Sequence, residues 1–203
     1  MTLKVVMLGN AAVGKTAVAK RFVEGAFDLT NPTLGIDNFS KDIVVRGKKI
    51  DLVIWDPSGQ EKYRSMVPQY CRNANIFIIV YAVGDPPDTP PEAKVARSSF
   101  ESIESWYNDE NVKNEENAII FICGNKTDLD NREITEDEGR ELAQQLSVEY
   151  METSALTGEG IEPLFQCAAE EYLKEREPPA PPPKPEPEPV TQPNPKKKCS
   201  ICK

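Results

Sequence analysis

Apolar and β-branched residues gather in four short runs, at residues 3–8, 50–55, 76–83 and 118–123, each closed by a turn signal and followed by sequence of helical character. Runs of that length without polar alternation predict strands buried on both faces, and strands alternating with helices predict a parallel sheet. Residues 41–45 meet 50–55 across Arg46-Gly47-Lys48, a hairpin that gives the sheet one antiparallel edge. Thr135-Glu136-Asp137-Glu138 has the form of a capping box that opens a helix through Leu146, and residues 161–175 carry apolar positions at helical spacing. The prolines of residues 84–91 exclude that stretch from a sheet or a helix interior, so it reads as a surface loop. From Pro178 the pattern gives way to proline, glutamate and lysine, which bury too little apolar surface to offset ordering entropy. The expectation is a doubly wound α/β domain over residues 1–177, with a mixed sheet of about six strands, and a disordered proline-rich tail over 178–203.

Composition narrows the function. The chain has 203 residues, 39% hydrophobic and 28% charged, with a net charge of -9. That is ordinary for a globular domain and gives no basic footprint for nucleic acid. No apolar run approaches the roughly 20 residues that span a bilayer, and no signal peptide is expected. The absence of histidine removes imidazole bases and His-containing metal sites. Cys71, Cys123 and Cys167 lie among apolar residues, which favours a reducing, cytosolic setting over a disulfide framework.

The chemistry begins directly after the first strand. Residues 9–16, Gly-Asn-Ala-Ala-Val-Gly-Lys-Thr, match the Gly-x4-Gly-Lys-Ser/Thr phosphate loop between a strand and a helix, the context that the motif needs. A triphosphate requires a ring of backbone N–H donors at a helix N-terminus, a close approach that glycine permits, and a cation; Gly9, Gly14 and Lys15 supply them, and Thr16 offers its hydroxyl to Mg²⁺. Asn125-Lys126-Thr127-Asp128 follows a later strand, at the carboxyl edge where ligands of such sheets bind. A carboxylate there accepts from guanine N1–H and its exocyclic amine, a donor pair that adenine lacks, so Asp128 is the candidate guanine selector. Asp56-Pro57-Ser58-Gly59-Gln60 begins as another strand ends: Asp56 faces the metal, Gly59 offers its N–H to the γ-phosphate, and Gln60 orients the attacking water. Lys15 and Gln60 are the catalytic candidates.

These motifs, with Glu152-Thr153-Ser154-Ala155-Leu156, stand in the order seen in Ras-superfamily small GTPases over nearly all of residues 3–175. Within that superfamily the chain resembles the Rab family in Arg21-Phe22-Val23-Glu24-Gly25-Ala26-Phe27, in Gly35-Ile36-Asp37, and in residues 61–70, which are most similar to the early-endosomal subgroup. The resemblance implies a switch that binds GTP and GDP with Mg²⁺, hydrolyses GTP slowly unaided and recruits effectors of vesicle traffic. It places Gly9, Ala11, Ala12, Val13, Gly14, Lys15, Thr16 and Ala17 around the phosphates, Thr33 with Thr16 and Asp56 on the metal, Phe27 against the guanine, and Ser154, Ala155 and Leu156 over the base beside Asn125 and Lys126. Exchange factors, GTPase-activating proteins, a lipid-escort protein and effectors are the implied partners, on the cytosolic face of endomembranes.

The chain departs from the family in three places. Pro57-Ser58 stands where Thr-Ala is usual, and Pro57 lacks an N–H. Residues 27–33 are about one residue shorter than usual, with Asn31 where an aromatic often sits, and faster nucleotide exchange is the expectation. Ala11 replaces glycine or serine where a partner's arginine finger would approach. Pro57-Ser58 keeps open a rival reading as a guanine-nucleotide-binding pseudo-GTPase or scaffold with little or no hydrolysis; a P-loop ATPase or kinase is the other rival, and Asp128 opposes it.

At the tail, Lys196, Lys197 and Lys198 precede Cys199 and Cys202. By resemblance to Rab termini these cysteines are lipidation candidates, although Ser200 as fourth residue from the end departs from a standard prenylation box. Half of a zinc motif, or two free thiols, are the other readings of the pair. Residues 179–184, Pro-Ala-Pro-Pro-Pro-Lys, also fit an SH3-type ligand, with a plain spacer favoured.

Overall fold

The fold is seen in a computed structural model, which describes residues 1–27, 33, 35–59 and 67–176. Gln60, Asn31 and the tail with Cys199 and Cys202 lie outside the described residues.

Six strands form one sheet: β1 (Thr2–Leu8), β2 (Ile36–Val45), β3 (Lys48–Pro57), β4 (Ile76–Ala82), β5 (Ile119–Asn125) and β6 (Glu149–Thr153). Their spatial order is β2-β3-β1-β4-β5-β6, with β2 and β3 antiparallel and every other pair parallel. The mixed six-stranded sheet and its single antiparallel edge agree with the sequence pattern. β2 runs well beyond the expected 41–45, because its ladder with β3 extends to the pairing of Ile36 with Pro57. β6 is a short edge strand with only Thr153 buried, so it has no apolar run to announce it.

Alternate residues of the buried strands feed two cores. Leu3, Val5 and Met7 face the helices α1 (Lys15–Glu24) and α7 (Ile161–Lys174), where Phe22 stacks on Phe165 with ring centroids 4.0 Å apart. Val6, Leu8, Phe77, Ile79 and Tyr81 face the other side, covered by α2 (Val67–Cys71), α3 (Ala96–Glu101), α4 (Ile103–Tyr107), α5 (Glu110–Lys113) and α6 (Glu136–Leu146). Helices on both faces are what parallel strands require to bury two apolar surfaces. α6 opens on the expected box: Thr135 Oγ1 accepts from Glu138 N at 3.2 Å and Glu138 Oε2 accepts from Thr135 N at 2.8 Å. Cys71 and Cys123 are buried in the cores, Cys167 is partly buried, and no disulfide occurs among the described residues.

The proline-rich stretch after β4 is the expected surface loop, with one turn of 3-10 helix at Pro91–Ala93 and a buried root at Gly84 and Asp85. No helix among the described residues is long and apolar enough to cross a membrane.

Candidate nucleotide-binding site

Parallel strands deliver their following loops to one edge of the sheet, and here the loops after β1, β3, β4, β5 and β6 converge there. Between them lies a cleft of about 500 Å³. Ala11, Ala12, Gly14, Lys15, Thr16, Ala17, Phe27, Thr33, Gly59, Asn125, Lys126, Asp128, Ala155 and Leu156 line it, all of them sequence candidates. Ser58, Pro86 and Leu129 line it as well without having been singled out. Ser58 lies inside the Asp56–Gln60 motif and Leu129 directly follows Asp128, so both could have been found from the motifs; nothing local marks Pro86.

The phosphate end is built by the loop from Gly9 to α1. Ala12 holds a left-handed φ of 61° and Gly14 one of 97°, which curl the backbone around the cleft. A Cβ on Gly14 would lie 2.3 Å from Asn125 Nδ2, so only glycine lets this loop approach β5. Gly14 caps α1 without any side-chain acceptor and no acidic residue occupies the first turn, so the helix start keeps its N–H groups and positive dipole end for an anion. Lys15 is 6% exposed, and its ammonium donates to the carbonyls of Gly9 at 3.0 Å and Asn10 at 2.9 Å. Burial pushes it down to about 8, against the pull of Asp56. Gly9 and Val13 stand behind the cleft surface: Val13 packs in the core, and its carbonyl accepts from Asn125 Nδ2 at 2.9 Å.

Beside Lys15, β3 delivers Asp56 to the floor of the cleft. Thr16 Oγ1 donates to Asp56 Oδ2, and the Thr16 and Thr33 hydroxyls are hydrogen-bonded at 2.7 Å. Asp56 is fully buried, and burial pushes its carboxyl up to about 6, with Thr16 and then Lys15 acting in the opposite sense. Its other oxygen, Oδ1, is the one buried side-chain polar atom among the described residues without a hydrogen-bond partner. A buried carboxylate oxygen with an open valence next to two hydroxyls is a hard-oxygen donor set suited to Mg²⁺, which binds through one or two carboxylates and keeps places for phosphate and water. No cluster of three or more carboxylates or thiols that would suit a fully protein-ligated metal occurs among the described residues. Gly59 closes this end: a Cβ there would sit 2.4 Å from Lys15 Nζ and 2.5 Å from the Asn10 carbonyl oxygen. Pro57 ends β3 opposite Ile36, and Ser58 N donates to the Gly35 carbonyl at 2.8 Å. The proline therefore sits at the end of a ladder, where its missing N–H is of least consequence.

The other end is organised by Asn125, Asp128 and Ser154. Besides Val13, Asn125 reaches the last loop: its Oδ1 accepts from Thr153 Oγ1 at 3.2 Å and from Ala155 N at 3.3 Å. One buried amide thus ties the phosphate loop, β5 and the loop after β6 together. Ser154 lies beneath the cleft surface and donates to Asp128 Oδ1 at 2.5 Å, which aims the carboxylate. Lys126 adopts a φ of 73°, and burial pushes its ammonium down while Asp85 and Asp128 oppose that shift. Phe27 is half-buried; it lines the cleft and also packs on the core of α1 and α7.

A glycine-lined anion cradle at a helix start and an aimed carboxylate at the opposite end, on the carboxyl edge of a doubly wound sheet, define a P-loop nucleotide-binding domain. The family model described as Ras family matches residues 4–174. Among curated relatives, the Ras-related protein Rab-4A of Rattus norvegicus is 36% identical over 176 residues, covering 86% of this chain and 76% of its own. Rab-4A of Homo sapiens is 38% identical over 168 residues, covering 81% of this chain and 72% of its own. The chain belongs to the Ras family and is a small GTPase of the Rab kind, a guanine-nucleotide-binding, GTP-hydrolysing regulator of membrane traffic.

Proposed function

We propose that the cleft holds GTP or GDP with the phosphates on residues 9–16, Mg²⁺ on Thr16, Thr33 and Asp56, and guanine against Asp128. The observation that carries this reading is the buried Asp56 Oδ1 without a partner, beside the joined hydroxyls of Thr16 and Thr33. The cation, when bound, offsets charge on the β- and γ-phosphate oxygens. The Lys15 ammonium exchanges the Gly9 and Asn10 carbonyls for a phosphate oxygen as its acceptor, the N–H groups at the start of α1 bind the remainder, and Gly59 N–H meets the γ-phosphate. Gln60 orients the attacking water. Phe27 covers one face of the base, while Ala155 and Leu156 close over it. Loss of the γ-phosphate frees Thr33 and Gly59, so partners that touch the surrounding loops sense the nucleotide. Exchange factors, GTPase-activating proteins and effectors fit that surface.

The folded unit ends at residue 177, and residues 178–203 are a spacer that carries Lys196, Lys197 and Lys198 to the membrane with lipid on Cys199, Cys202 or both. Two lipid chains, or one chain with a basic patch, suffice for stable anchoring. A lipid-escort protein is then required, and the likeness to Rab-4A supports an early-endosomal membrane. A spacer serves this role without any SH3-type partner at residues 179–184.

The test of the base assignment is competition by xanthosine diphosphate. In Asp128→Asn the carboxamide donates to the xanthine 2-carbonyl where the carboxylate accepted from guanine, so preference passes from GDP to the xanthine nucleotide. Retained GDP preference in the variant overturns the role of Asp128. Single-turnover GTP hydrolysis with Gln60→Leu, expected to be slowed at least about tenfold by loss of the water-orienting amide, tests Gln60; an unchanged rate removes it from the mechanism.

A further inference from the structure

Residues 83–95 join β4 to α3, and the two parts of this connection differ. Val83, Gly84 and Asp85 are buried, whereas Pro86, Pro87, Asp88, Pro90 and Pro91 are exposed. The buried root is laced to the segment downstream of Asp128. The Val83 carbonyl accepts from Glu133 N at 2.8 Å and Ile134 N at 3.0 Å, Gly84 forms a β-bridge with Arg132, and the Asp85 carbonyl accepts from Asn131 Nδ2 at 2.5 Å. There is no slack in this seam, since a Cβ on Gly84 would lie 2.8 Å from the Asn131 carbonyl oxygen.

The Asp85 side chain anchors the loop from its other end. It is 1% exposed, and its Oδ2 accepts from Val95 N and Ala96 N at 2.9 Å each, holding the start of α3. A second tie leads to the far side of Asp128: Arg132 grips Glu152 through both guanidinium nitrogens at 3.0 and 2.6 Å, and Glu152 stands two residues before Ser154, the donor that aims Asp128. Bidentate pairs of this kind fix geometry as well as charge. Pro86, the first residue beyond the root, stands in the cleft wall with Lys126 and Leu129. Its ring is an apolar surface with no rotamer entropy to lose, so it bounds a ligand at little cost.

We infer that this connection governs nucleoside retention: Pro86 is a wall of the nucleoside pocket, and Asp85, with Asn131 on its carbonyl, is a positioning residue that holds this wall and the Asp128 loop in register. The inference rests on the proposed placement of guanine at Asp128. Release is controlled at the base end by a segment that touches neither phosphate nor metal, and the proline content keeps its first residues from collapsing into the cleft.

The experiment follows release of fluorescently labelled GDP and of IDP, which lacks the exocyclic amine, from the full-length protein in Mg²⁺. Pro86→Ala is expected to speed both nucleotides by the same factor, and Asn131→Ala to speed GDP more than IDP, because guanine makes two hydrogen bonds to Asp128, through N1–H and the amine, and hypoxanthine only the one from N1–H. Each acceleration should be about 2- to 10-fold, the range set by one net hydrogen bond or a comparable contact. Asp85→Asn keeps an acceptor for Val95 and Ala96 and should release at close to the parent rate, whereas Asp85→Ala should follow Asn131→Ala. Parent-like GDP release in both Pro86→Ala and Asn131→Ala overturns the inference. Equal acceleration of GDP and IDP in Asn131→Ala marks mere loosening and overturns the positioning role. If the parent protein itself fails to retain GDP better than IDP, the guanine assignment falls instead, so the two failures are distinct.

Discussion

Individual residues in this site are held against their own preferences. Asp56 is a carboxylate in the dry floor of the cleft, raised from an ordinary 3.8 to about 6 by burial. A carboxyl whose folded value is raised contributes its full stability below the unfolded value and loses it as pH rises through the folded one. In nucleotide-free protein, Asp56→Asn should therefore gain stability relative to the parent as pH rises from about 4 to 7, read by urea unfolding across that range, while losing Mg²⁺-dependent nucleotide retention. A pH-independent difference would show that the Asp56 carboxyl titrates normally. Gly14 is under a steric constraint instead. Gly14→Ala forces a Cβ to within 2.3 Å of Asn125 Nδ2 at a φ of 97°, a strain on the order of 1–3 kcal/mol. The variant should bind nucleotide roughly 5- to 150-fold more weakly, the range equivalent to that strain, and purify with less of it than the parent, measured by chromatography of the released base. Gly14 and Asp56 were legible as motif members; the Asn125 amide that makes Gly14 obligatory was not, because it arrives from another strand.

Among the elements, α6 was the easiest to read, since its start is written as a local capping box and its length as a periodic face. Thr135→Ala should cost about 1 kcal/mol, a fall of roughly 2–4 °C in melting temperature for a chain of this size. Glu138 carries the reciprocal half of that box, and its bonds to Thr135, with a further one from Arg97, hold its carboxyl down at about 2. Its folded value is depressed, so its contribution is complete above its ordinary 4.5 and is lost as pH falls through about 2. Glu138→Gln should be less stable than the parent at neutral pH and converge with it toward pH 2, by denaturant midpoint. The run from α3 to α5 escaped sequence reading because it is broken into helices of 6, 5 and 4 residues, too short to show a period. Serine hydroxyls explain part of that: Ser98, Ser99 and Ser102 turn back onto the carbonyls of Val95, Ala96 and Ser98. β6 was missed for the opposite reason, since an edge strand with one buried residue has no hydrophobic signature.

At the scale of the molecule, two faces of one sheet are sealed by helices, and the stacked pair Phe22 and Phe165 joins α1, which carries the phosphate loop, to α7. Phe165→Ala should cost about 3–5 kcal/mol by creating a cavity, visible as a lowered urea midpoint with nucleotide in excess. The proposed division at residue 177 makes a separate statement about the tail. Replacing both Cys199 and Cys202 by serine should move the protein from the membrane fraction to the soluble one, while the melting temperature stays within about 1 °C, since the proposed folded unit ends before either residue. Unchanged fractionation would show that the tail carries no lipid anchor.

By itself the sequence determined the class of fold and the identity of the reacting groups. Buried strands alternating with helices leave few topologies, and Gly-x4-Gly-Lys-Thr, Asp56 and Asp128 each stand at or just beyond the carboxyl end of a strand, where local order alone brings them to one edge. The tertiary structure decided how those groups are held: Asn125 braces Val13 across 112 residues of chain, Ser154 aims Asp128 across 26, Thr16 meets Asp56 across 40 and leaves one carboxylate oxygen open, and Pro86 enters the cleft wall. Such pairings depend on loop closure and on the packing of whole strands, which set distances that no local period or motif records.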